Sequence, residues 1–215
     1  MYDHPPVTLP EELLLLCADP ESGQLRRPHH FNRALGGAVL AELLTAGALT
    51  VQGRSITEVR PLPVGDPVAD RVLAELAATG KRPRHLGLER WVRRASARVD
   101  RAYLDALTAR GLLTVRRRRI LGILPATTYT ATLPGWPKAG ADRILRALSA
   151  TGPAGPSDRD LQLAALAGTV GLDRRLFRGP DGRPTRRRIH ELARATPIAA
   201  AVRRVISSDE AAASS

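Results

Sequence analysis

Between Asn32 and Gly47 the sequence carries Leu35, Val39, Leu40, Leu43 and Leu44 at helical spacing, with Gly36, Gly37 and Ala38 set among them. Small residues in the middle of a helix let another helix approach closely, so this segment predicts tight helix–helix packing. Glu42 is the one acid in the otherwise apolar stretch, and a cap or a buried ion pair outweighs a catalytic role for it. Gly47 marks the helix end. The same preference extends to the whole chain. Aromatics are only 3% of a sequence that is 43% hydrophobic, so the core has to be built from Leu, Val, Ile and Ala, a mixture that favours helices over strands.

Other segments have local signals of their own. Thr8 and Glu11 form a capping box with Pro10 in the first turn, and the turn at 19–23 ends that helix. A polar, basic stretch runs from Gln24 to Arg33. Residues 48–60 predict two short strands joined at Gln52-Gly53. Asp66 with Pro67 starts a helix to about Thr79. Helices follow at 86–94 and 95–110, the second stopped by Gly111. Residues 112–131 predict a β-hairpin whose second arm is broken by Pro125. Four further helical stretches are expected, at 138–150, 158–170, 173–178 with 184–195, and 197–206. No repeat and no long linker is visible, so one domain is expected over 7–206, with a flexible N-terminus at 1–6 and a disordered tail at 207–215.

Lys and Arg outnumber Asp and Glu by 33 to 21, a net charge of +12, and lysine occurs only at Lys81 and Lys138. GC-rich bacterial coding accounts for arginine over lysine but not for the positive excess. Such a field favours anionic partners, either nucleic acid or a negatively charged membrane. The single Cys17 excludes an intramolecular disulfide and fits a reducing cytosol, and a buried, inert thiol is the expected role. The apolar run at 13–18 is too short, and too acidic at Glu11 and Glu12, for a signal peptide. No stretch approaches the ~20 apolar residues that span a bilayer, so any membrane contact is expected from the side.

No Gly-rich phosphate loop, Cys/His metal spacing or nucleophile in a recognised context occurs, so neither an enzyme nor a cofactor nor a metal is expected. The adjacent His29 and His30 read as a surface loop. Arginines are the more informative residues. Arg116, Arg117, Arg118 and Arg119 on a hairpin form a basic rim flanked by Ile120, Leu121, Ile123 and Leu124, which suits a membrane interface. A solvated edge and an oligomer contact are the alternatives. Arg94, Arg98 and Arg101 fall on one helix face if the helix is unbroken, and three guanidiniums on one face can hold a phosphate. A solvated stripe is the plain alternative. Arg186, Arg187 and Arg188 lie near Glu191 and read as solvated or ion-paired.

The run 7–16, Val-Thr-Leu-Pro-Glu-Glu-Leu-Leu-Leu-Leu, followed by Asp19 and Gly23, resembles the opening signature of the Golgi phosphoprotein 3 family. So do residues 35–43, Leu-Gly-Gly-Ala-Val-Leu-Ala-Glu-Leu, with Gly47 after them, and the loop Pro63-Val64-Gly65-Asp66. Trp91-Val92, residues 107–113 and the hairpin follow in family order, so the resemblance runs over about 7–206. The composition suggests a bacterial member of actinobacterial type. The resemblance implies a mostly helical, all-α fold, with a central apolar helix bundle ringed by amphipathic helices and a small protruding β-hairpin. It also implies a non-enzymatic adaptor that binds phosphatidylinositol 4-phosphate and grips the cytosolic tails of membrane proteins, the hairpin serving self-association and membrane contact.

Carried onto this sequence, the family's pocket Trp falls on Arg27, and its helix Arg on Gly36, with Arg33 one turn earlier. Its later Arg pair falls on Ala97 and Asp100 without gaps, or on Arg98 and Arg101 after a shift of one. The expected head-group site is therefore Arg98, Arg101, Arg33, Arg27 and Arg94. The expected membrane or oligomer contact is Arg116, Arg117, Arg118, Arg119, Ile120, Leu121, Ile123 and Leu124. Expected partners are anionic phospholipid head groups on the cytoplasmic face of a membrane, protein tails there, and a second copy through the hairpin. The runner-up is a nucleic-acid-binding module that uses helix 96–110 and the hairpin like a winged helix.

Overall fold

The computed structural model describes residues 5–79, 87–97, 99–120, 124–150 and 155–214. In chain order the elements are α1 (Leu9–Leu15), α2 (Phe31–Thr45), β1 (Leu49–Gln52), β2 (Ser55–Val59), α3 (Pro67–Ala78), α4 (Leu88–Ser96) and α5 (Val99–Ala109). Next come β3 (Leu113–Ile120), β4 (Leu124–Ala131), α6 (Trp136–Ser149), α7 (Asp158–Thr169), α8 (Asp173–Leu176), α9 (Arg183–Ala195) and α10 (Pro197–Ala213). The strands form two separate antiparallel hairpins, β1–β2 and β3–β4. The fold is mostly helical with little β-structure, as the sequence implied.

Helix α2 is the hub. It packs against α1, α3, α4, α5, α7 and α10, and Phe31, Leu35, Val39, Leu40 and Leu43 are all buried. Its two glycines set the distances. A Cβ added at Gly36 would stand 2.8 Å from the Ser96 backbone nitrogen and 2.9 Å from the Val92 carbonyl oxygen, both on α4. One added at Gly37 would stand 2.5 Å from a methyl carbon of Val202 on α10 and 3.0 Å from one of Leu166 on α7. The glycines thus admit α4 to backbone contact on one side and α10 with α7 on the other.

Helix α1 is buried along its whole length, acids included. The Glu11 carboxylate accepts the Thr8 N–H at 2.9 Å, and Glu42 on α2 accepts the Leu9 N–H at 2.7 Å. Glu42 is therefore a cap, reached across 33 residues of sequence. Arg110 donates to both Glu11 oxygens at 2.7 and 2.8 Å, while Glu12 receives Arg143 and, at 2.6 Å, Arg159. Arg110 and Arg159 also donate to the carbonyls of Pro6 and Val7, which ties down the chain ahead of the helix. Residues 1–4 of the expected flexible N-terminus lie outside the described residues. Asp66 has two roles: one oxygen caps α3 at Val68 and Ala69, and the other accepts the Tyr103 hydroxyl of α5 at 2.6 Å.

Three expectations are corrected. First, the unbroken helix that a shared face for Arg94, Arg98 and Arg101 requires is absent, and the boundary between the two expected helices falls at Ala97 rather than between 94 and 95. Ala97 is extended (φ −72°, ψ 117°), so α4 and α5 are separate helices. Ser96 bonds back to the Val92 carbonyl at 2.5 Å while packed on Gly36, and such back-bonding bends helices. Second, β4 runs through Pro125, opposite Arg119. Both strands of a two-stranded sheet are edges, where a missing N–H is tolerated. Third, the tail expected to be disordered from 207 is the last part of α10, which continues to Ala213. Three alanines at 211–213 favour helix, and Asp209 is anchored by Arg33 and Arg93.

The anchor belongs to a clasp between α10 and α4. Arg204 donates to Glu89 at 2.5 Å, Arg54 joins at 2.8 Å, and Asp209 receives Arg33 at 2.8 Å together with Arg93. Burial disfavours the charges on Glu89 and Asp209, but hydrogen bonds and the adjacent guanidiniums outweigh it and hold both carboxyls below their ordinary range.

Two outcomes are expected. Gly36→Ala destabilises the fold by about 1–3 kcal/mol in urea titration despite alanine's better helix propensity, because backbone atoms stand in the way. Gly37→Ala costs less, since the methyl groups facing it can turn. The clasp's stabilisation is present above the unfolded carboxyl values, near about pH 4, and is lost as pH falls through the lower folded values. In melts taken from about pH 5 down to about pH 2, Glu89→Gln with Asp209→Asn therefore shows a shallower decline than the parent.

Candidate functional site

The arginines expected to form a head-group site do not converge. Arg27, in the segment before α2, pairs with Asp100 in the first turn of α5. Arg33, in the first turn of α2, pairs with Asp209. Arg94 on α4 donates to Glu75 of α3 at 2.7 Å and stands 5.1 Å above the Trp91 ring. Arg101 on α5 is 79% exposed and lies 3.6 Å from Asp105, one turn on. Arg98 lies outside the described residues. With the helix broken at Ala97, Arg94 and Arg101 share no helix face.

At Gly36, the place where the resemblance puts a pocket arginine, any side chain would meet the Ser96 nitrogen and the Val92 carbonyl. At the place of the pocket tryptophan, Arg27 is neutralised by the residue at one of the later arginine positions, Asp100. That region thus holds an internal ion pair and a close helix crossing. Beside Trp91, Arg71, Glu75 and Arg94 line a separate recess of about 260 Å³ between α3 and α4.

The β3–β4 hairpin is different. Its base is fixed to the body: Leu113 is buried, the Leu25 N–H bonds the Tyr129 carbonyl, and the Ala131 N–H bonds the Gly23 carbonyl, both at 2.9 Å. Beyond the base, Val115 is 40% exposed, and Arg116 and Arg117 are exposed opposite Thr128 and Thr127. Neither arginine has a carboxylate partner among the described residues. Strand alternation puts them on opposite faces. Arg116 shares one face with Thr114, Thr128 and Thr130, which with Ser22 and Gln24 line a shallow recess of about 600 Å³. Leu121 and Ile123 lie outside the described residues, as do the side chains of Arg118, Arg119, Ile120 and Leu124.

Cys17 is buried, its thiol directed at the Leu13 carbonyl 3.7 Å away, and burial pushes its pKa up to about 12. Asp173 is fully buried 3.2 Å from Nε2 of His190; burial pushes its carboxyl up, against the pull of His190 and Arg174. Among the described residues no cluster of three or more His, Cys, Asp or Glu could hold a metal, and no helix is long and apolar enough to cross a membrane.

Sequence reasoning missed the counter-ions. Asp100, Glu75 and Asp209 each reach an arginine 19 to 176 residues away, and no local pattern announces such pairs. The alanine run after Asp209 was the one available sign that the tail continues the helix.

The family described as Golgi phosphoprotein 3 (GPP34) matches residues 9–208, nearly the whole chain. A search of curated proteins finds no significant match. The buried α1 signature, the glycine-bearing α2 and the hairpin all lie inside the matched span, and the chain belongs to the Golgi phosphoprotein 3 family.

Proposed function

We propose that this protein binds anionic phospholipid membranes from one side, through the arginine strand of the β3–β4 hairpin, and serves there as an adaptor rather than a catalyst. One observation carries the reading: Arg116 and Arg117 are exposed and without a carboxylate among the described residues, whereas Arg27, Arg33, Arg94 and Arg101 each have one. A cation already paired within the chain gains little from an approaching anion. An unpaired one on a protruding strand gains about 1 kcal/mol near an anionic surface. Val115 adds an exposed apolar group to the same strand. The net charge of +12 supplies long-range attraction, and family membership supports the adaptor role.

In this reading phosphatidylinositol 4-phosphate is drawn as one anionic lipid among others, because charge rather than a fitted pocket does the attracting. Attraction of that kind is screened by salt, with a Debye length of about 10 Å at 0.1 M.

Vesicle co-flotation tests it with neutral lipid, generic anionic lipid and phosphatidylinositol 4-phosphate, the latter two at matched surface charge. The protein is expected to float with both anionic vesicles alike and to release as salt rises. Arg116→Ala with Arg117→Ala, removing about 2 kcal/mol of attraction, weakens flotation about 30-fold. Arg60→Ala with Arg187→Ala, two exposed arginines that each pair with a carboxylate, changes it little. Unchanged flotation of the hairpin variant would overturn the hairpin assignment, and tight binding to random duplex DNA at the same salt would move the reading to nucleic acid.

A further inference from the structure

Helices α6 and α8 and the turn at 19–23 border an apolar groove of about 440 Å³ that none of the described residues fills. Pro20, Pro137, Ala141, Leu145, Leu176 and Phe177 form most of its lining. Leu145 is 39% exposed, although its helix neighbours Ile144 and Ala147 are buried. Phe177 is buried. The apolar surface therefore runs inward from an exposed edge.

The walls are held by arginines that face the backbone. Arg175 donates to the carbonyls of Arg26 at 2.5 Å and Cys17 at 3.3 Å, which ties α8 to the segment after α1. Arg186 of α9 donates to the carbonyls of Phe177 and, at 3.2 Å, Gly179. A groove with fixed walls loses little conformational freedom when it is filled. The rim carries other cations. Lys138 lines the groove, Arg174 and Arg178 are exposed on and just after α8, and none of the three is ion-paired among the described residues. Asp142, one turn after Lys138, is the one acid among the described lining residues.

We propose that this groove docks a short acidic segment of a partner protein, which seats one apolar side chain against Leu145 and Phe177 and sets its carboxylates against Lys138, Arg174 and Arg178. Charge complementarity selects an acidic partner, because three unpaired cations around the groove outnumber Asp142. The shape selects a peptide. A surface that inserts into a membrane presents apolar groups that protrude, whereas these are recessed and accept a side chain. Nucleic acid gains nothing from an apolar recess whose aromatic ring, Phe177, is too buried to stack on a base. The docking site goes beyond the membrane reading and does not depend on it, since no described hairpin residue lines the groove.

Fluorescence anisotropy tests it with labelled nonapeptides that carry a central leucine, isoleucine, methionine or phenylalanine between pairs of glutamates. Control peptides replace the central residue by serine or the glutamates by glutamine. At least one apolar peptide is expected to bind about tenfold more tightly than either of its controls. Lys138→Ala with Arg178→Ala weakens that peptide about tenfold. Leu145→Gln, tolerated because the position is exposed, weakens it by a similar factor. Asp142→Asn strengthens it about threefold, a gain that no folding defect could produce.

Failure of all four apolar peptides to bind at millimolar concentration would overturn the proposal. So would binding that the serine controls match, which is charge attraction alone. Affinity unchanged by both Leu145→Gln and Asp142→Asn would put the peptide elsewhere and sink the groove assignment. Loss of vesicle flotation in Leu145→Gln, with no peptide bound by the parent, would make the groove a membrane-inserting surface instead. Arg116→Ala with Arg117→Ala weakens flotation but keeps the peptide affinity, so failure of the hairpin reading and failure of the groove are told apart.

Discussion

Helix α2 can be enclosed on every side only because it offers hydrogen atoms where a typical helix offers side chains. At Gly36 and Gly37 the distance between helix axes is set by backbone, not by packing of branched residues. That constraint propagates. The crossing at Gly36 holds Ser96 against α2, Ser96 bends back onto Val92, and the chain leaves the helix at Ala97. The break decides which arginines face one another, so a steric fact in the core shapes the charge layout of the surface.

Arginine does two kinds of work in this chain. Arg110, Arg143 and Arg159 are structural: they neutralise Glu11 and Glu12, buried acids on a buried helix, and bind carbonyls of the segment before it. Glu12 keeps a second arginine if either of its two is lost, whereas Glu11 has Arg110 alone, and stripping a buried acid of its partner typically costs about 3–5 kcal/mol. Arg116 and Arg117 face water with no acid beside them among the described residues, so their charge is available to a partner. A count of +12 does not separate the two kinds; only the positions of the carboxylates do.

That difference explains what the sequence disclosed. Local devices were legible: the apolar spacing of α2, the Asp66 cap of α3, the Gly111 stop of α5 and both hairpins are written within a few residues. The family signature was legible too, because it consists of the same local runs. Glu42 was recognisable as a cap or pair but not as the cap of α1, since its partner is Leu9. The pairs Arg27–Asp100 and Arg33–Asp209 depend on which helices pack together, and the break at Ala97 depends on the crossing at Gly36. Propensity and charge pattern carry no information of that range.

The thiol of Cys17, the single cysteine of the chain, has a consequence for the study of motion in this molecule. It sits sealed in the interior just after α1, poorly ionised and out of reach of solvent. A soluble alkylating reagent can meet it only when the packing around α1 comes apart, so the reaction keeps time for whole-core opening. Fraying of the helix end beyond Ile206, where the side chains are mostly exposed, leaves that interior closed and is invisible to it. The protein therefore carries a native stopwatch that tells peripheral rearrangement from the loss of its centre.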